Sequence, residues 1–150
     1  MIALARGAIL REMRRLLAPS RPDALALMLL ALAALCVLVA GFQHARLFHR
    51  GYAEVQIVGL LFFMNAIGST VVVLTLIFDR VWMFVLGALG ICVPSLVSIA
   101  ISHSVGFLGF REGGYDADAL IIVVAEVAAV VLALAGGAKA AMSVRSGAAA

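Results

Sequence analysis

Four long apolar runs dominate the sequence, and polar residues cluster between them. The runs cover residues 24–42, 55–78, 81–110 and 119–138, and Glu126 is the one formally charged residue inside them. A helix needs roughly 20 apolar residues to cross about 30 Å of hydrocarbon, and each run meets that length. Because lipid cannot pair with backbone polar groups, continuous runs of this kind indicate helices and not barrel strands. The pattern predicts four transmembrane helices, over residues 24–42, 55–78, 81–107 and 119–138.

The composition of the chain agrees with this interpretation. Hydrophobic residues make up 65% of the 150 residues and charged residues 13%, and the mean hydropathy is +1.19. Soluble domains are about half apolar and about a quarter charged. A water-soluble enzyme, a secreted disulfide scaffold, a nucleic-acid module and a disordered tail are therefore excluded. We expect an all-α, integral membrane four-helix bundle that forms a single transmembrane domain over residues 1–150.

The basic residues are distributed unequally between the two ends of the predicted helices. Eight of them, Arg6, Arg11, Arg14, Arg15, Arg21, Arg80, Lys139 and Arg145, flank one side of the membrane. The other side has Arg46, Arg50 and Arg111, together with Glu54, Glu112, Asp116 and Asp118. Since an excess of Lys and Arg marks the cytoplasmic side, both termini are predicted to lie inside, in the cytoplasmic (inner) membrane of a bacterium.

Residues 1–22 precede the first apolar run. A basic stretch before an apolar run also describes a signal peptide, but this basic stretch and the run after it are both too long for one. We expect a cytoplasmic or interfacial segment in which residues 2–17 form a short amphipathic helix on the membrane surface. Pro19 and Pro22 separate it from the first transmembrane helix.

Small residues recur at every fourth position on two helices, and this spacing places them along one helix face. The third helix carries Gly90, Pro94, Ser98, Ser102 and Gly106, and the fourth carries Ala125, Ala129 and Ala133. Such faces let neighbouring backbones approach closely in a membrane. Both rows are therefore predicted to be packing faces within the bundle.

Glu126 is the most informative polar residue, because a charged group deep in a bilayer costs on the order of 3 kcal/mol by insertion scales. We expect it to face the bundle and to pair with His103, which lies at a comparable depth. One interpretation is a packing contact between helices, and it is favoured; the other is a site for a proton, a metal or a ligand. Asn65, near mid-membrane, is predicted to form a hydrogen bond with a group on another helix. Cys36 and Cys92 are expected to be reduced.

The three histidines all lie toward the predicted outer side. Together with nearby carboxylates, His44, His49 and His103 form a candidate metal site, since imidazole and carboxylate suit zinc or copper. Axial haem ligation by His44 and His103 is a further alternative. The spacing of these histidines matches no recognised ligand pattern.

Several segments resemble a family of small four-helix integral membrane proteins of high-GC, actinobacterial-type bacteria. The resemblance covers roughly residues 55–135 and rests on residues 61–68 (LFFMNAIG), Trp82, Leu86-Gly87, residues 102–112 (SHSVGFLGFRE) and residues 123–126 (VVAE). It implies four transmembrane helices but no activity. This chain has His103 where an arginine is common and Leu108 where a proline is common.

Three functions remain open. The first is a non-enzymatic accessory or structural subunit of a larger membrane complex, with lipid and other membrane subunits or further copies of the chain as partners. The second is an outward-facing metal- or haem-binding protein of a redox system. The third is an oligomeric small transporter or proton-coupled carrier built around Asn65, His103 and Glu126. No catalytic motif and no nucleic-acid partner is indicated.

Overall fold

Four long helices form the protein in a computed structural model that describes residues 23–147. They are α1 (Ala24–His49), α2 (Gln56–Ile77), α3 (Val81–Ser104) and α4 (Ala117–Gly147), with a 3₁₀ turn at Tyr52–Glu54 between α1 and α2. All four are long and apolar enough to cross a membrane. The predicted all-α membrane bundle is confirmed within this part of the chain. The amphipathic helix predicted for residues 2–17 lies outside the described residues.

The helix ends differ from the predicted ones where polar residues continue a helix. Helix α1 extends to His49 instead of residue 42, so His44 and His49 lie on the helix and not after it. Helix α3 ends at Ser104 instead of residue 107, and two residues later Gly106 adopts a φ of 92° that a helix cannot continue. Helix α4 extends to Gly147 instead of residue 138. Hydropathy locates the part of a helix that lies in lipid, and it does not locate the end of the helix.

The helices pack as a ring in which each contacts two neighbours. Helix α1 packs most extensively against α4 and also against α2, and α3 packs against both α2 and α4. The core is built largely from small residues, and the predicted row Ala125, Ala129 and Ala133 is buried as expected. At Gly136 an added Cβ would lie 2.8 Å from Cγ of the fully buried Leu30. Close backbone approach through small residues therefore holds α1 against α4.

Ion pairs fasten α1 to α4 at both ends of the bundle. At one end, Asp23 caps α1 by accepting a 2.8 Å hydrogen bond from the Ala26 amide, and it also pairs with Lys139 of α4 at 3.1 Å. At the other end, Asp118 of α4 pairs with Arg46 and, at 3.5 Å, with Arg50. We call these the Asp23 end and the Asp118 end. Both sets of charges lie where the helices leave the predicted membrane, so water can solvate these side chains.

Helices α2 and α3 form a hairpin that is closed at the Asp23 end and open at the Asp118 end. Near the turn, a Cβ on Gly87 would lie 2.6 Å from Cγ2 of Val72, and at mid-helix a Cβ on Gly68 would lie 2.9 Å from Cδ1 of Ile91. A Cβ on Gly90, by contrast, would meet nothing within 4 Å. Gly90 therefore lies on a side of α3 that α2 does not cover, and toward the Asp118 end a cavity lies between the two helices.

The predicted packing face on α3 is thus corrected. Gly90, Pro94, Ser98 and Ser102 line a cavity, a Cβ added at Gly90 would meet nothing within 4 Å, and Gly106 lies beyond the end of α3. The four-residue spacing correctly placed these residues on one face, but spacing does not reveal whether a helix of the same chain covers that face.

We predict that Gly136→Ala lowers the free energy of unfolding in detergent by about 1–3 kcal/mol, because the new methyl group overlaps the fully buried Leu30. Gly90→Ala is the matched control: it makes the same change in a helix, but in open space, and should leave the stability unchanged or raise it by up to about 1 kcal/mol. Equal loss in the two variants would contradict the close packing of α1 on α4.

The pH dependence of stability should include a contribution from Asp23. The hydrogen bond from the Ala26 amide, followed by the interactions with Lys139, lowers the pKa of this exposed carboxyl group. A lowered pKa in the folded state gives stability that is present above the ordinary value of about 3.9 and is lost as the pH falls through the folded value. The difference in melting temperature between the parent and Asp23→Asn should be constant above about pH 5 and shrink below pH 4. A difference that does not change with pH would contradict this.

Candidate functional site

A cavity of about 300 Å³ lies between α2 and α3, in the half of the bundle nearer the Asp118 end. Its walls are mainly apolar and include Leu61, Phe62 and Met64 of α2 and Ile91 and Ile99 of α3. Several of its lining residues, among them Leu61, Met64, Gly90 and Pro94, are exposed on the surface that would face lipid. The cavity therefore opens sideways into the predicted membrane.

Polar side chains from different helices meet on the inner wall of this cavity. Asn65 of α2 accepts a hydrogen bond of 3.3 Å from Ser69 of the same helix, and not from another helix as predicted, while its side chain lies beside Glu126 of α4. His44 of α1 is buried, and its Nδ1 donates to the carbonyl oxygen of Ala40 at 2.9 Å. We assign the proton to Nδ1 on that contact, so Nε2 is the acceptor for the Ser95 hydroxyl of α3, which lies 3.4 Å away.

Glu126 of α4 completes this group. Its side chain is 0% exposed, and neither carboxyl oxygen has a hydrogen-bond partner among the described residues. The side chains of Ser95 and Asn65 lie beside the carboxyl group without completing a hydrogen bond to it. All four helices thus contribute to one polar cluster, defined by His44, Asn65, Ser95 and Glu126. Within it, the carboxyl group is the unsatisfied member.

The expected pair of Glu126 with His103 is not formed, and this is a correction. His103 Nδ1 contacts the Ile99 carbonyl oxygen at 2.8 Å, and Nε2 contacts the Gly114 carbonyl oxygen at 3.1 Å. The reason is a difference in depth. Ser95 is the residue of α3 that lies beside Glu126, and His103 follows it by two helical turns, or about 12 Å. The sequence prediction that α3 ends at residue 107 is three residues too long and therefore places His103 too deep.

The three candidate metal ligands are not brought together, although His44 and His103, the candidate haem ligands, both line the cavity. His44 is buried in the polar cluster, His49 is exposed and packs edge-on against Phe48, and His103 stacks on Tyr115 with ring centroids 3.9 Å apart. Among residues 23–143, no group of three or more His, Cys, Asp or Glu side chains is placed to hold a metal ion. Cys36 and Cys92 are both free thiols, as expected.

An aromatic and polar cap closes the cavity at the Asp118 end. Tyr52 stacks on Phe62 with ring centroids 4.6 Å apart, and its hydroxyl donates to Glu112. Burial, reinforced by this hydrogen bond, raises the pKa of the Tyr52 phenol, so it remains a donor at any physiological pH. The contact ties the loop between α3 and α4 to the 3₁₀ turn before α2, and Glu112 and Asp116 of that loop line the capped end of the cavity.

Sequence reasoning identified Asn65 and Glu126 but missed the role of Ser95. A serine in a transmembrane helix is ordinary, and Ser95 lies one position off the row of small residues that drew attention to α3. No signal in the sequence separates Ser95 from its neighbours. Its contacts with His44 and Glu126 follow from the way the four helices are arranged around the cavity.

No protein-family model matches the chain, and neither a curated protein nor a solved structure matches it. The fold and the cavity therefore provide the evidence for function.

We predict that Glu126→Met raises the free energy of unfolding in detergent by about 1–3 kcal/mol. The substitution keeps a side chain of similar length and removes two buried oxygen atoms that have no partner, whose burial costs energy in the parent. Asp118→Asn is the contrasting control, because it weakens the ion pairs with Arg46 and Arg50 and should lower stability. A clear loss of stability in Glu126→Met would show that the carboxyl group has a partner in the folded chain.

Proposed function

We propose that this integral membrane protein is a non-enzymatic accessory subunit of a larger complex in the bacterial cytoplasmic membrane, with both termini inside. The observation that carries the proposal is the uncovered face of α3. Gly90 and Pro94 are exposed, and together with Ser98 they form a wall of the open cavity. We call the open side of the cavity, between α2 and α3, the cleft.

In a membrane, an uncovered helix face of this kind favours association with another helix. Lipid tails are as apolar as the side chains of a helix, so helices associate in a bilayer through close packing of small residues and through polar contacts. Gly90, Pro94 and Ser98 provide a backbone that is accessible every fourth residue along one face, and the described chain places no helix of its own against it. A transmembrane helix of another subunit fits such a face better than lipid does.

The carrier function remains a second candidate because the polar cluster draws one residue from each of the four helices. Convergent polar side chains at the wall of a cavity are the arrangement that a carrier requires. Four helices alone enclose too narrow a path for a transported ion or molecule, so a carrier would have to be built from several copies of the chain. The accessory role requires no such assembly and is the proposal we favour.

A variant in which a larger side chain fills the cleft tests the proposal. In Gly90→Leu, a large side chain occupies the space where an added Cβ now meets nothing within 4 Å. We expect this variant, extracted from its native membrane in mild detergent, to lose its companion subunits, as measured by native mass spectrometry. Ala100→Leu makes a similar change on an exposed position of α3 outside the cavity lining and should retain them. A parent protein that is extracted as a lone monomer would contradict the proposal.

A further inference from the structure

We infer that the cleft receives a transmembrane helix of a different protein, and that this helix carries a lysine or arginine side chain which pairs with Glu126. The inference rests on the proposed accessory role and adds the chemistry of the partner. It begins from the Glu126 carboxyl group, which is fully buried beside Asn65 and Ser95 and has no hydrogen-bond partner in the described chain.

Charge complementarity identifies the occupant as basic. The cavity is lined by the carboxyl groups of Glu112 and Asp116, and Glu126 lies directly behind Asn65 and Ser95 on its inner wall. No Lys or Arg side chain is among the described residues that line the cavity. A cationic group entering the cleft would therefore meet acidic and neutral groups along its whole length.

The two histidines of the cavity do not fill this role. Nδ1 of His44 is used by the Ala40 carbonyl oxygen, and Nε2 accepts from Ser95. His103 contacts two carbonyl oxygens, those of Ile99 and Gly114, near the capped end of the cavity. A neutral imidazole that accepts from a hydroxyl group does not neutralise a carboxylate.

The dimensions of the cleft suit a helix. Its lining on α3 extends from Gly90 to His103, thirteen residues along the helix, or about 20 Å. A helix laid on Gly90, Pro94 and Ser98 would present side chains at the level of Ser95. A lysine or arginine has a flexible apolar stem, so its charged head can extend through the cavity to Asn65 and Ser95 while the stem contacts the apolar walls. Glu126 lies behind these two side chains and outside the cavity lining, so the pairing requires them to move aside.

The four helices of a second copy do not supply the required charge within the span that would lie in the membrane. Residues 24–45, 56–77, 81–104 and 117–138 contain no Lys or Arg, and Arg46 and Lys139 lie at opposite ends of the bundle. Packing two copies cleft to cleft would bring together two Glu126 carboxyl groups, and neither copy would offer the other a cation from these spans. The charge pattern therefore favours a different protein over a homo-oligomer.

Synthetic transmembrane peptides test the inference. Three fluorescently labelled peptides of about 20 leucine and alanine residues, with a single central Lys, Leu or Glu, are titrated against the full chain in lipid nanodiscs. We expect the Lys peptide to bind about tenfold more tightly than the Leu peptide, the scale of one interhelical polar contact. The Glu peptide should bind most weakly. In Glu126→Gln the preference for Lys should disappear while the Leu peptide still binds, and in Gly90→Leu all three peptides should bind weakly.

The outcomes separate this inference from the proposed function. Equal binding of the Lys and Leu peptides that depends on Gly90 would overturn the basic partner and leave helix docking intact. No binding of any peptide, with the full chain remaining monomeric, would overturn both. Self-association of the chain that is lost in Gly90→Leu would overturn the inference in favour of a homo-oligomer. Dodecylamine that binds in a Glu126-dependent manner, with no preference among the peptides, would assign the cleft to a small lipophilic amine instead.

Discussion

The central constraint on this structure is a fully buried carboxyl group that has no hydrogen-bond partner in the described part of the chain. Such a group is costly in any protein, and more so in a bilayer, where water cannot compensate for the missing hydrogen bonds. Glu126 nevertheless lies fully buried, among small core residues of α4 that bring α1 close. The folded chain tolerates this cost because other contacts hold the bundle together. These are the alanine-lined core and the ion pairs at both helix ends.

The fold could be predicted from the sequence because the bilayer leaves few alternatives. Apolar length determines the number of helices, and the short connection at Asp79-Arg80 makes α2 and α3 antiparallel neighbours. The burial of Ala125, Ala129 and Ala133 also followed from their spacing. The helix ends did not, since α1 continues through the buried Gln43 and His44 and through Arg46, and none of these polar side chains ends the helix.

The site could be predicted only in part. The cost of a charged residue in lipid singled out Glu126, and the same argument applied to Asn65. The partner could not be predicted, because matching depths across two helices requires the helix ends to be correct within one turn, and the assumed end of α3 was three residues too late. The row from Gly90 to Ser102 shows a second limit: spacing reveals a face suited to packing, but only the arrangement of all four helices shows that α2 does not cover it at Gly90 and that it lines a cavity.

The infrared carboxyl absorption of Glu126, in the isolated chain reconstituted in lipid, tests the central claim most directly. The difference spectrum between the parent and Glu126→Gln isolates the C=O stretch of this one group. A carboxyl group buried without a cation or a hydrogen-bond donor is held neutral, so we expect a band at the high-frequency end of the carboxylic acid range, where free C=O groups absorb. The symmetric and antisymmetric bands of an ionised carboxylate would show that the chain itself supplies a cation, and would contradict the account.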